Sequence, residues 1–335
     1  MKSVTIAGGG LSGLALGIAL RQHEVPVTII EAGSYPRHRV CGEFISGVTD
    51  EQLQALGIED CLAHSMRHST SVWYDFDRPF LRANLPEPAR GLSRFAVDAA
   101  LVERFSALGG RLHDGMRQDR DGEGVVWATG RQKKPSDWMG LKAHVEGLEL
   151  EAGLEIHFGK DAYVGLTKVE GDHVNICGLF RRNQAIPGGQ ALIQALHDSL
   201  LPGLASRVSN GNLMPGSLKG VNHFCLGWQT HVDPSRACIG DSSAMIPPFT
   251  GNGMSMAFQS ALVAREHLLN WSLGHQPWDT TVKSLRSALH STFDRRIRWA
   301  RVMQSVLMHR PGRLLAGWLI RQHPSTFESL YRRVR

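Results

Sequence analysis

The sequence of 335 residues has little cysteine and no cysteine pattern. Its five cysteines, Cys41, Cys61, Cys177, Cys225 and Cys238, are odd in number and none forms C-x-x-C. Their spacings suit neither a disulfide framework nor a zinc site, so no metal centre is expected and reduced thiols are the default. No apolar run reaches the ~20 residues that span a bilayer. The N-terminus lacks the basic segment and long apolar run of a signal peptide, so a cytoplasmic location is expected. A formal charge of +6 comes with no nucleic-acid recognition module, and no nucleic-acid partner is expected. An anionic cofactor or a membrane surface accounts for the surplus more economically. Core material is not lacking: 42% hydrophobic and 20% charged residues argue against disorder.

Glycine, by contrast, is plentiful at 36 residues, and its placement is informative. The apolar run VTIA from Val4 predicts a buried strand; GGGLSG follows, then a helical pattern with Leu14, Leu16, Ile18, Ala19 and Leu20. A second strand, VPVTIIE, ends on Glu31. Gly8, Gly10 and Gly13 have G-x-G-x-x-G spacing in a β-α-β context, which is the dinucleotide fingerprint. Gly8 permits the tight turn, and Gly10 lets a pyrophosphate approach the main chain. Gly13 allows the helix to pack close to the strand, and Gly17 favours the same. The loop residues Leu11 and Ser12 open a helix whose free N–H groups and dipole favour phosphate. Glu31 is placed to accept hydrogen bonds from the adenosine ribose.

A second nucleotide-type loop lies far downstream. CIGDSSAMIPPFTGNGMSMA begins at Cys238: a short apolar run ends in Gly240-Asp241, a Pro/Gly loop follows, and a helix resumes at Met254. GGGLSG…E together with GD…PPFTGNG resembles the FAD-dependent oxidoreductases of the p-hydroxybenzoate hydroxylase and geranylgeranyl reductase superfamily. The resemblance implies FAD as cofactor, with Asp241 on its ribityl chain. It implies that Pro248, Gly251, Asn252, Gly253 and Met254 lie against the pyrimidine end of the flavin. In GLSRFAVDAALVERF, Arg94 matches an arginine that contacts the cofactor, and Asp98 is its helix-start partner, readable as a plain cap. In GEGVVWATGR, the strand Val125–Ala128 ends near the adenine, which assigns Ala128 to the cofactor. The likeness covers the first 130 residues and 235–270, and is looser between.

PRHRVCGEFIS, starting at Pro36, directly follows the second strand. The resemblance runs this loop along the FAD and makes Arg37 or Arg39 a phosphate contact. Cys41-Gly42-Glu43 resembles the reductase-type sequence beside the flavin. Basic neighbours offer to depress the Cys41 thiol, but no resolving cysteine lies near it in sequence. Cys41 reads as a residue lining the cofactor rather than as a disulfide-exchange thiol.

Some relatives are excluded by absences. There is no second G-x-G-x-x-G for NAD(P)H, no redox C-x-x-C, and no W-x-W-x-I-P halogenase signature.

The alternation in LEIHF and DHVNICGLF predicts antiparallel sheet, and the resemblance makes that sheet the roof of the substrate pocket. NHFCLGWQTH from Asn222 is expected to return a strand to it. Lys142, His144, Tyr163, His223 and Trp228 are the pocket candidates. Catalytic candidates are Cys41, Glu43, His144, Tyr163 and His223, without a unique choice. The C-terminal region is helical, and basic beyond Asp294, with apolar residues at helical spacing at Leu285, Leu289, Phe293, Ile297, Val302 and Val306, and then at Leu314, Leu315, Trp318 and Leu319. This region reads as a helical cap over the substrate domain, or as an amphipathic surface for peripheral membrane contact.

The expected fold is α/β. A Rossmann-like, glutathione-reductase-type FAD domain is assembled from 1–70, 91–132 and 235–270. An antiparallel β-sheet substrate domain spans 71–90 and 133–234, and a basic helical region spans 271–335. The function that the resemblance implies is a single-component monooxygenase using NAD(P)H and O2 on a small aromatic, polyketide-like or lipophilic substrate. Two alternatives are an ene-reductase acting on an isoprenoid or polyene and a non-catalytic flavin-binding protein. The oligomeric state is left open.

Overall fold

The computed structural model describes residues 1–131, 136–181, 190–222, 224, 226–229 and 233–335. Short strands rich in Val and Ile pair in parallel, which requires both faces to be covered. Their order is Ala237–Cys238, Val125–Trp127, Val4–Ala7, Val27–Glu31 and Arg111–Asp114. The helices in chain order begin with α1 (Leu11–Arg21), α2 (Asp50–Leu56), α3 (Arg94–Ala107), α4 (Ala191–Asp198) and α5 (Pro202–Asn210). They continue with α6 (Gly253–Ser272), α7 (Trp278–Met308), α8 (Arg310–Gln322) and α9 (Ser325–Arg333).

Helix α1 buries every residue from Leu11 to Leu20, as a helix that is apolar all round must. It packs against α3 and α6. Gly17 allows this, because a Cβ there would sit 2.9 Å from both Ile29 and Phe105. One continuous apolar core joins this sheet to α1, α3, α6 and the first half of α7 through Leu285, Leu289, Phe293 and Ile297.

The second sheet has nine strands and is antiparallel apart from one pairing, Ser71–Asp75 beside Leu154–Phe158. It extends further than the expected boundaries. Its first long strands are Met66–Asp75 and Arg78–Gly91, and Phe44–Ile45 forms an edge. The strands Trp138–Glu146, Leu154–Gly159, Ala162–Lys168 and Val174–Arg181 make its centre. One face packs on α4 and α5 around Leu141, Val164, Ile176, Leu192 and Leu204. The other face turns toward the parallel sheet. The strand expected within 222–231 lies earlier: Lys219–Asn222 pairs with Trp138–Glu146. Gly227–Trp228 pairs instead with Ala244–Met245, outside this sheet.

The C-terminal helices divide between the two layers. α7 packs on α6, while α8 and α9 pack on the strand Arg78–Gly91. Asp75 fixes α8: its carboxylate accepts from Arg313 Nε at 2.7 Å and from Arg310 Nε at 3.0 Å. Arg313 is 2% exposed. Removing its counter-charge would strand a buried guanidinium. Asp75→Ala is therefore expected to cost about 3–5 kcal/mol, read as a lowered urea midpoint.

Candidate functional site

The loops after four parallel strands open toward the second sheet, where ligands bind in open α/β sheets. Between the two sheets lies a cavity of about 590 Å³. The parallel sheet contributes Gly10–Ser12, Glu31, Ala128–Arg131 and Asp241; the 248–254 loop contributes Pro248, Gly251, Gly253 and Met254. The opposite wall uses alternate residues of the second sheet: Leu154 and Ile156, Tyr163 and Gly165, Cys177 and Leu179, and Gly140. Strand register aligns Ile156, Gly165, Cys177, Lys142 and Lys219 in one row across the sheet.

Two helices point uncapped N-termini at this cavity. α1 starts after Gly10 and α6 after Asn252; neither has a side-chain cap bond or an acid in its first turn. A Cβ on Gly10, Gly42 or Gly253 would meet nothing within 4 Å. Gly8 and Gly13 have different duties and do not line the cavity. Gly8 takes φ +106°, and its Cβ would lie 2.3 Å from the Ala128 carbonyl; that of Gly13 would lie 2.0 Å from the Gly8 carbonyl.

Arg39 and Arg94 are both anchored by Asp98, which is fully buried. Arg94 is bidentate to it at 2.9 and 2.8 Å, and Arg39 Nε lies 3.1 Å away. Asp98 is thus an arginine holder rather than a cap. The cap is Ser93, whose hydroxyl accepts the Ala96 N–H. Arg39 Nη2 is buried with no hydrogen-bond partner among the described residues, although it lies 3.8 Å from Glu31. Buried donors seek partners, and this one, beside the α1 N-terminus, fits an anionic group. The open glycine cradle, the uncapped helices and the orphan guanidinium together match what FAD requires.

Some predicted cofactor residues are engaged elsewhere. Arg37 does not line the cavity; its guanidinium sits 2.5 Å from Glu31. Glu31 also accepts the Gly9 and Gly33 N–H groups at 2.8 and 2.9 Å, so its oxygens are largely committed. Burial opposes its charge, but Arg37, the two amides and Arg39 outweigh this and hold it below the usual carboxylate range. Asn252 is fully buried and donates its amide to the Val334 carbonyl rather than facing the cavity.

Glu43 lines the cavity at the centre of a buried charge cluster. It adopts φ +52°, unusual for a residue with a side chain. Its carboxylate accepts the Arg94 N–H at 2.9 Å, lies 3.1 Å from Lys142 Nζ, and takes a hydrogen bond from His144 Nε2 at 2.5 Å. Burial would raise its pKa, but His144 and Lys142 outweigh that and lower it. Lys142 and His144 share the cavity-facing side of their strand with Gly140, but they do not line the cavity, because Glu43 and His38, which do line it, cover them. Trp228 is also elsewhere: it stacks on His290 at 3.7 Å and donates to Asp294 at 2.7 Å. His223 lies outside the described residues.

Cys41 lines the cavity, but burial raises its thiol more than Arg94 lowers it. The expected activation by basic neighbours is thus overridden, and the thiol stays protonated. Burial likewise raises Cys177 and Tyr163. Tyr163 consequently remains a neutral phenol at the wall, its ring edge-on to Phe249.

Residues 3–70 match the family described as pyridine nucleotide-disulphide oxidoreductase. That stretch holds the β-α-β unit and the loop through Glu43 but no C-x-x-C. No curated protein matches the sequence at a significant level. Among solved structures, PqsL of P. aeruginosa in complex with 2-aminobenzoylacetate has TM-score 0.73 at 14% identity, covering 93% of this chain and 98% of that one. PqsL is also described as a probable FAD-dependent monooxygenase. The flavin-dependent brominase Bmp2 has TM-score 0.78 at 16% identity, covering 99% and 92%. FqzB has TM-score 0.73 at 17% identity, covering 97% and 87%. The chain shares the fold of these solved structures, among them a protein described as a probable FAD-dependent monooxygenase and a flavin-dependent brominase.

Within that fold, several cavity residues escaped the sequence reading. His38 lines the cavity between Arg37 and Arg39; burial first, and then Lys142, lower its pKa to about 4. It is neutral at neutral pH, with Nδ1 3.3 Å from Lys142 Nζ. Its neighbouring arginines drew the assignment. Arg131, directly after Thr129-Gly130, and Phe249, inside PPFTGNG, were likewise signalled by motifs whose other residues took the roles.

Two predictions follow from the charges. Glu43→Gln leaves Lys142 buried without a counter-charge and is expected to cost about 3–5 kcal/mol, most of it recovered in Glu43→Gln/Lys142→Met; urea unfolding of both variants checks this. Burial, opposed by Arg131 and Arg94, raises the Asp241 carboxyl to about 6. The folded state then binds this proton more tightly than the unfolded state. The contribution favours folding below the ordinary aspartate value and is lost as pH rises through about 6. Asp241→Asn should therefore stabilise flavin-free protein at pH ~7 by on the order of 1–3 kcal/mol, with the gain vanishing near pH ~4.

Proposed function

We propose that the chain is an FAD-dependent monooxygenase that hydroxylates a small aromatic or lipophilic substrate, with NAD(P)H as reductant. The observation that carries this reading is the single cavity shared by a dinucleotide loop and an apolar sheet face. The α1 N-terminus and Arg39 would hold the pyrophosphate, Asp241 the ribityl chain, and the 248–254 loop the pyrimidine end. When bound, FAD would supply the redox chemistry that passes electrons to dioxygen.

The protein's own part is to bind, orient and exclude water. Ile156, Leu179, Phe224, Met245, Ile246 and Phe249 give the substrate side an apolar lining. Such a lining suits a ring or hydrocarbon and keeps water from the reacting atoms. His38 supplies a neutral imidazole at the wall, which can hold a polar substituent of the substrate. Cys41 and Cys177, kept as thiols, act as small lining groups rather than nucleophiles. The solved neighbours support this reading through PqsL, whose bound 2-aminobenzoylacetate is a small aromatic compound.

The purified chain is expected to carry FAD, and Gly10→Val to lose it. Holoprotein given NAD(P)H, candidate phenols and isotopically labelled dioxygen should place the label in the product. Anaerobic saturation of an alkene, with no oxygen consumed, would instead establish the ene-reductase. Full FAD content in Gly10→Val would overturn the cofactor site.

A further inference from the structure

Helix α8 is apolar on the side facing away from the protein. Its buried face is Arg313, Gly317 and Ile320, pressed so closely on the sheet that a Cβ on Gly317 would lie 2.6 Å from Phe80. At ~100° per residue, Leu314, Leu315, Trp318 and Leu319 fall on the opposite side. Leu315 and Trp318 are 58% and 50% exposed. The end of α7 adds Val302, 54% exposed, and Val306. A Cβ on Gly312 would meet the Val306 carbonyl at 2.5 Å, so the two helices form one tightly joined unit. An ordinary surface helix carries polar residues where this one carries leucine and tryptophan.

The charge around this patch has one sign. From Arg295 to Phe327 the sequence has seven arginines and no acid. Arg296 and Arg313 are buried, and Arg310 serves Asp75. Arg295, Arg298, Arg301 and Arg321 are exposed and have no carboxylate partner among the described residues. No described helix is long and apolar enough to cross a membrane, so any contact through this face is peripheral. Apolar side chains bordered by arginines that no carboxylate among the described residues neutralises complement an interface of hydrocarbon beneath anionic headgroups.

The inner side of the same helices leads to the cavity. Leu307 and Ile320, with Met308 packed on them, belong to one apolar cluster with Ile156, Tyr163, Leu179 and Phe249, which line the cavity.

We propose that the outward face of α7 and α8 docks the protein on an anionic lipid bilayer. Delivery of a lipophilic substrate from that bilayer to the cavity rests on the function proposed above, whereas docking does not, and it is measured without substrate or turnover. The full chain is sedimented with vesicles of phosphatidylcholine mixed with phosphatidylglycerol, and with phosphatidylcholine alone. Binding is expected to the mixed vesicles, to weaken as salt is raised, and to be much lower on neutral ones. Leu315→Glu/Trp318→Glu should lose about tenfold or more of the affinity, with an unchanged melting temperature because both positions are exposed. Arg295→Glu/Arg298→Glu should lose the preference for anionic vesicles. Failure to bind mixed vesicles, equal binding to neutral ones, or undiminished binding by the Leu315/Trp318 variant would overturn the proposal. A dimer in light scattering that this variant dissociates would overturn it too, by assigning the face to a second copy of the chain.

Discussion

The buried carboxylate of Glu43 joins the two halves of this molecule. It sits on the loop leaving the nucleotide-binding sheet, yet its partners lie on the substrate sheet, Lys142 and His144, and at the start of α3, the Arg94 amide. An isolated charge at such a place would be prohibitive. Three donors make it tenable, and their positions then fix the loop. The left-handed backbone at Glu43 costs on the order of 1 kcal/mol, which its contacts with Lys142, His144 and the Arg94 amide offset. Cys41 and Gly42, immediately before it, are held at the cavity wall as a result.

Around that joint, anionic ligands are favoured by main chain more than by side chain. Two helix starts supply N–H groups, and glycines at the right places leave room for a ligand to reach them. Arg39 and Arg94 add charge, but both are tethered to Asp98, so their orientation is set before anything binds. Such preorganisation lowers the ordering cost of binding.

Legibility in the sequence followed the range of the interaction. The β-α-β unit, the strand ends and the second glycine loop depend on neighbours within a few residues; of the cavity residues, Gly10 and Glu31 were readable from motif spacing, and Ala128, Asp241 and Gly251 through the family resemblance. What was not readable depends on register and on distant partners. Lys142 and His144 are on the correct face of their strand, but Glu43, about a hundred residues earlier in the sequence, covers them. Asp98 resembles a helix start until Arg39, far away in sequence, is brought to it. Trp228 looks like a pocket residue until Asp294 claims its N–H. Asn252 stands inside a motif of cavity residues, yet the carbonyl of Val334 takes its amide. The thiol of Cys41 was weighed from its charged neighbours, whereas burial, invisible in one dimension, sets its state.

The glycines bordering the cavity divide into two kinds with different evolutionary exposure. At Gly8 and Gly13 any side chain collides with main chain, so purifying selection acts there through folding whatever the protein binds. Gly10, Gly42 and Gly253 face open space and have unremarkable backbone angles. Replacement there would be silent to the fold and felt only by an occupant of the cavity. A side chain at these three positions would be felt only while something is bound, so they are where a lineage that lost its ligand would be expected to drift first.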